Sequence, residues 1–356
     1  RKAELTELLS ANQLVVEHRF FSDSTPASRN LDLLNIRQAA ADHHRIVEAF
    51  KPIYTGKWIN TGHSKGGKTA FFHRRFYPDD VDATVSYVAP ITHGILDRRY
   101  IDFLDYVGAP ECNQALWDLQ REALLRRDDL LEIFEAETTD WTFDWIGGRE
   151  RGFETTVLEI PFAFWQYSGE TFCTAIPDST ASDRQIYDAI EEFVGWWLTW
   201  DGFLDYYMAY FYQAHSEFGY PDTRRDYLED LLETNPPPPE AGALPPGVTA
   251  VFDPEVMPDI QEWIATEGDR MMFIDGEYDP WTAGMVEHGD ATDSYIFVDP
   301  GGTHGSYIRT LEPDDQETAL AILQRWTGVT PVTPATAKEA PEEFPPWRRI
   351  PPGLTP

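Results

Sequence analysis

Between Leu5 and Pro90, short apolar runs and longer amphipathic stretches take turns. Leu5 to Leu9 reads as the end of a helix. Leu14-Val15-Val16 reads as a short strand that runs into a loop at Glu17-His18-Arg19-Phe20-Phe21. Leu31 to Phe50 carries apolar residues at helical spacing, Leu34, Ala41, Ile46 and Phe50 among them, and Pro52 ends it. Trp58-Ile59-Asn60-Thr61 is the next strand. Thr69-Ala70-Phe71-Phe72 belongs to a helix that Pro78 stops, and Val81 to Val88 alternates as a strand ending at Ala89-Pro90. This strand–helix order predicts a parallel sheet covered on both faces.

The rhythm changes from about Ile95 to about Asp253. Strand–helix alternation gives way to a helix-like, acidic, aromatic-rich segment with Phe164-Trp165-Gln166-Tyr167, Trp196-Trp197, Trp200 and Tyr210-Phe211-Tyr212. A proline run, Pro236 to Pro239, lies near its end. The first rhythm then resumes. Pro258 to Glu267 reads as a helix, Met271 to Ile274 and Ser294 to Val298 as strands, and Asp314 to Trp326 as a final helix. The predicted organisation is a core in two parts, 1–94 and 254–329, a helical cap inserted at 95–253, and a Pro-rich tail at 330–356 that is extended or disordered.

One motif gives this pattern chemical content. Gly62-His63-Ser64-Lys65-Gly66 sits between the Trp58 strand and the helix after it. G-x-S-x-G in that setting is the nucleophile elbow of an α/β-hydrolase. The turn is so sharp that residues two positions from the serine are expected to lack a Cβ. It lifts the hydroxyl above the sheet and aims the next backbone N–H, that of Lys65, at a developing oxyanion.

Acyl transfer by serine also needs a base and an acid that orients it. In this fold they follow later strands, in the order Ser, Asp/Glu, His. Asp279 follows the Met271 strand, and His304 follows the Ser294 strand between glycines. Asp275 competes with Asp279 for the acid; a turn-fixing role suits Asp275, so Asp279 is preferred. Among nine histidines, His18 precedes the serine. His43, His44 and His73 fall on helices, His63 is the variable elbow position, and His93, His215 and His288 lack a matching strand end. Only one strand precedes the elbow strand, which is normally the fifth of eight. The first strands, and the loop carrying a second oxyanion donor, are therefore expected in an upstream segment of the same protein.

Composition sets limits. With 356 residues, 42% hydrophobic and 14% aromatic, the chain can bury a sizeable core. No apolar run reaches the roughly 20 residues that span a bilayer. The opening Arg1-Lys2-Ala3-Glu4-Leu5 is amphipathic and not a signal peptide. Sixty-one acidic against 28 basic residues give a net charge of −33. That excludes nucleic acid and anionic membrane as expected partners. Cys112 and Cys173 both lie in the insertion and are compatible with one disulfide. Neither shows metal-ligand spacing, and no metal or cofactor is expected.

Glu17-His18-Arg19-Phe20-Phe21, Gly62-His63-Ser64-Lys65-Gly66-Gly67, Phe164-Trp165-Gln166-Tyr167, Gly276-Glu277-Tyr278-Asp279-Pro280-Trp281 and Gly302-Thr303-His304-Gly305 occur in this order. Together they resemble the secreted bacterial tripeptidyl aminopeptidases, including the prolyl tri/tetrapeptidyl aminopeptidases, over the chain up to about Val329. The resemblance implies an exported serine exopeptidase with an α/β-hydrolase core and a helical cap. It would release short peptides from free N-termini, some members preferring proline, with Ser64 as nucleophile, Asp279 as acid and His304 as base. Trp165 and Tyr167 could stack on a proline ring or pack the cap interior. Glu17 could bind substrate or pair with Arg19. An esterase or lipase, and a non-catalytic binding protein on the same scaffold, are the alternatives.

Overall fold

The computed structural model describes residues 2–234, 244–290 and 293–332. The Pro236–Pro239 run and the tail beyond residue 332 lie outside the described residues. The chain divides into two compact units: residues up to 93 together with those from 253, and residues 94–252.

The first unit is built on four parallel strands in spatial order β1-β2-β3-β4: β1 (Ile59–His63), β2 (Ala83–Tyr87), β3 (Met271–Gly276) and β4 (Tyr295–Asp299). β2 and β3 are neighbours in the sheet, although the whole helical unit separates them in sequence. Every residue of these two central strands is buried, whereas β1 is half-buried along its length. A strand buried on both faces needs no polar alternation, which is why Ala83-Thr84-Val85-Ser86-Tyr87 can bury Thr84 and Ser86 beside its apolar residues. Val85, Tyr87, Met272, Ile274 and Phe297 from the strands meet Leu5 and Leu8 of α1 (Glu4–Leu8) and Ile322, Leu323 and Trp326 of the helix Pro313–Thr327. Burying each such large side chain stabilises the unit by about 1.5–3 kcal/mol. This α/β architecture, a parallel sheet with many helices, is consistent with an α/β-hydrolase-like fold.

Two sequence expectations are corrected. Leu14-Val15-Val16 is not a strand: it forms no ladder with any described strand, and Leu14 and Val15 are 46% and 75% exposed. β-propensity without a hydrogen-bonding neighbour does not make a strand. The helix expected from Leu31 starts later. A 3-10 turn (Leu31–Leu33) precedes α2 (Ile36–Phe50), because the Asn35 side chain accepts from the Gln38 amide at 2.9 Å and caps the helix there. Its buried positions are Ile36, Ala39, Ala40 and Val47 rather than Ala41, Ile46 and Phe50.

The second unit is helical, with helices that include Pro110–Leu125, Arg127–Glu137, Arg149–Leu158, Ile160–Tyr167 and Asp183–Phe193. Its interior is aromatic: Trp196 stacks with Phe153 and Tyr187, ring centres 5.3 and 4.9 Å away. Cys112 and Cys173 form a disulfide that ties the first of these helices to the turn Glu170–Ala175. No helix among the described residues is long and apolar enough to cross a membrane.

Candidate active site

β1 ends at His63 and α3 (Lys65–Phe76) begins at Lys65, so Ser64 alone turns the chain. It does so at φ 55°, ψ −124°, a sparsely populated conformation for a residue with a side chain. The turn is held from both sides. The Ser64 amide donates to the Tyr87 carbonyl at 2.8 Å, and the Ser64 carbonyl accepts from the Lys68 amide at 3.0 Å. A Cβ at Gly62 would lie 2.2 Å from the Gly66 backbone, so Gly62 is sterically required. The same is not true of Gly66, where a Cβ would meet nothing within 4 Å. The second crowded glycine is Gly67, whose Cβ would fall 2.7 Å from Ala89 and Ser86.

Asp279 and His304 lie on the loops after β3 and β4, and these loops are laced together. Glu277 and Tyr278 amides donate to the Asp299 and Gly302 carbonyls at 3.1 and 2.8 Å, and the Gly301 amide donates to the Glu277 carboxylate at 2.6 Å. Gly276 lets the loops approach, since a Cβ there would sit 2.5 Å from the Thr303 carbonyl oxygen. The result is a 2.7 Å bond between His304 Nδ1 and Asp279 Oδ2, with Asp279 fully buried. The other carboxylate oxygen accepts from the Trp281 amide at 3.2 Å. Burial, and secondarily the charge of Asp279, push Asp275 up to about 8. One carboxylate of the pair is thus kept neutral near pH 7, and the bond to the imidazole belongs to Asp279.

Ser64, with Lys65 at the helix start, and the Asp279–His304 pair all come from the first unit. His304 is near the elbow: its ring centre lies 5.1 Å from that of His63, the residue before Ser64. Lys65 is the first residue of α3, where a backbone N–H has no intrahelical partner. Its ammonium lies over the Phe21 ring at 5.2 Å, which puts the Glu17–Phe21 loop beside the elbow. The Phe20 and Phe21 amides are engaged within that loop, with Ser24 and His18 carbonyls. Burial lowers both Lys65 and Lys68 to about 7. Lys68, 3% exposed and 5.5 Å from the Trp281 ring, carried no sequence signal beyond its place one turn after the elbow.

The remaining candidates fare differently. Glu17 is exposed and accepts from the Ser24 amide and hydroxyl at 3.1 and 2.6 Å, stapling its own loop. Arg19 pairs instead with Asp42 at 2.6 Å and Gln38 at 2.7 Å. Trp165 is fully buried inside the second unit, donates its indole N–H to Asn113 at 2.8 Å, and fills space above Gly108. It is a core tryptophan, with no ring face left for a proline. Tyr167 is half-buried on the same helix. Among the described residues, His44, Glu48 and Asp80 are the group able to hold a metal ion. There the Asp80 carboxylate is already bonded by His44 and by His73, and Glu48 is exposed.

The sequence pattern of the PS-10 peptidase S37 family matches residues 1–348. A prolyl tri/tetrapeptidyl aminopeptidase of Streptomyces mobaraensis is 35% identical over 339 residues, covering 93% of this chain and 70% of that protein. This chain belongs to the PS-10 peptidase S37 family and is a serine peptidase.

Proposed function

We propose that the chain is an exported exopeptidase that releases tri- and tetrapeptides from free N-termini, with proline favoured at the cleavage position. Ser64, His304 and Asp279 would form its triad. The observation that carries the catalytic part is the buried Asp279–His304 bond beside a serine held at a strained elbow. The substrate class is supported by the name of the Streptomyces relative. Export is supported by the Cys112–Cys173 disulfide, a bond that persists in oxidising compartments.

In this reading Ser64 Oγ attacks the scissile carbonyl while His304 Nε2 takes its proton. Asp279 holds the Nδ1–H tautomer and stabilises the imidazolium. The tetrahedral oxyanion accepts from the Lys65 N–H. Collapse returns the proton from His304 to the leaving amine and leaves the tri- or tetrapeptide as an ester on Ser64. Water activated by His304 then hydrolyses that ester.

The test uses the chain and its Ser64→Ala variant on peptide anilides with free and with acetylated N-termini. The expected outcome is cleavage of the free form alone, with the variant slower by on the order of 10⁶-fold. Equal cleavage of free and acetylated substrates would reject the exopeptidase, and an active Ser64→Ala variant would reject the triad.

A further inference from the structure

We infer that His63, the variable residue of the elbow, is the positioning residue for His304, and that Tyr307, Tyr87 and Glu4 hold it in that role. The inference rests on the triad reading and extends it to residues outside the triad.

His63 touches the base in two ways. Its ring meets the His304 ring edge-on, 84° between planes and 5.1 Å between centres. The His304 backbone also acts on the His63 ring as a polar partner, partly opposing the lowering of its pKa. Burial, then the neighbouring His304, lower His63 to about 3, so it stays neutral and does not oppose the positive charge that His304 takes up. Its Nε2 is buried with no hydrogen-bond partner. An orphaned buried nitrogen is a cost that a phenylalanine would avoid if packing were the only need. The polar pull of the His304 backbone on the ring is what a phenylalanine would lack.

The other face of His63 is braced. Tyr307 lies against it, 5.2 Å away and 29° from parallel, and Tyr307 in turn contacts the Tyr87 ring at 5.1 Å. Tyr87 donates its hydroxyl to Glu4 Oε2 at 2.8 Å. The same carboxylate accepts from the Ile308 and Arg309 amides at 3.1 and 3.0 Å, which fixes the segment just after the base. Tyr87 also takes the Ser64 N–H on its carbonyl and is the register partner of His63. One residue of β2 therefore holds the nucleophile by its backbone and the base's support by its side chain.

The experiment compares His63→Phe, which keeps a ring, with His63→Asn, which keeps a polar side chain, and with Glu4→Gln. The readouts are kcat and KM on a peptide anilide, the rate at which a fluorophosphonate labels Ser64, and Tm. His63→Phe is expected to lower kcat and the labelling rate by about 100-fold, the scale of a misplaced catalytic group, with KM within about twofold. His63→Asn should recover about tenfold of that loss, and Glu4→Gln should lower kcat with KM unchanged. Wild-type kcat in His63→Phe, or a loss in step with a lowered Tm and equal in both His63 variants, would overturn the positioning role. Absence of Ser64 labelling in the unmodified chain would instead overturn the triad reading.

Discussion

Two carboxyls four residues apart, Asp275 and Asp279, are both buried but in different surroundings. Asp279 has the imidazole and the Trp281 amide. Asp275 is raised to about 8, so the folded chain binds a proton there that the unfolded chain, with an ordinary carboxyl near 4, has lost. The folded state then binds more protons than the unfolded one between those values, and stability falls as pH rises through that window. Asp275→Asn removes the titration. Urea melts should show the variant gaining on the parent by up to a few kcal/mol from pH 4 to pH 8. A constant difference across that range would refute the assignment. The sequence named both residues from strand ends and chain order. It could not show which carboxyl meets the imidazole, because that depends on how the loops after β3 and β4 cross.

At the level of elements, the elbow depends on one glycine of the motif, Gly62, and on a neighbour outside it, Gly67, rather than on Gly66. Gly62 faces the Gly66 backbone and Gly67 faces β2 neighbours, whereas Gly66 points into open space on the first turn of α3. Gly66→Ala should therefore be neutral or stabilise by about 0.5–1 kcal/mol through helix propensity. Gly62→Ala should destabilise by about 3 kcal/mol or more, since backbone cannot yield as a side chain can. Thermal melts of the two variants check the contrast, and equal effects would contradict it. Regular elements were legible wherever periodicity had a partner to satisfy it. β1, β3, β4 and the helix Pro313–Thr327 lie where the apolar runs predict. Leu14-Val15-Val16 has the composition of a strand but no ladder, and the start of α2 turns on a single side-chain cap at Asn35. Pairing and capping are contacts, and a one-dimensional pattern does not contain them.

On the scale of the whole molecule, the net charge of −33 is offset only locally, by pairs such as Arg126 with Glu122 and Asp183, and Arg127 with the fully buried Glu154. The disulfide closes a 61-residue span wholly within the second unit, so reduction is expected to loosen that unit. Motif order alone carried the family, because five short segments spread over the chain occur in one fixed order. The residues packed behind His63 and His304, namely Glu4, Tyr87 and Tyr307, have no motif and no shared neighbourhood in sequence, so nothing but the folded arrangement reveals them.

The Glu4 contact also bears on timing. Glu4 and Ile308 are 304 positions apart, and closing so long a loop comes late in folding. During refolding, labelling of Ser64 should return after tryptophan fluorescence has settled, and simultaneous recovery would argue against that order. On that order, an incomplete chain would be inert. Its cutting power would arrive only when distant stretches of the chain had met, and a half-made molecule would be no hazard to its neighbours or to itself.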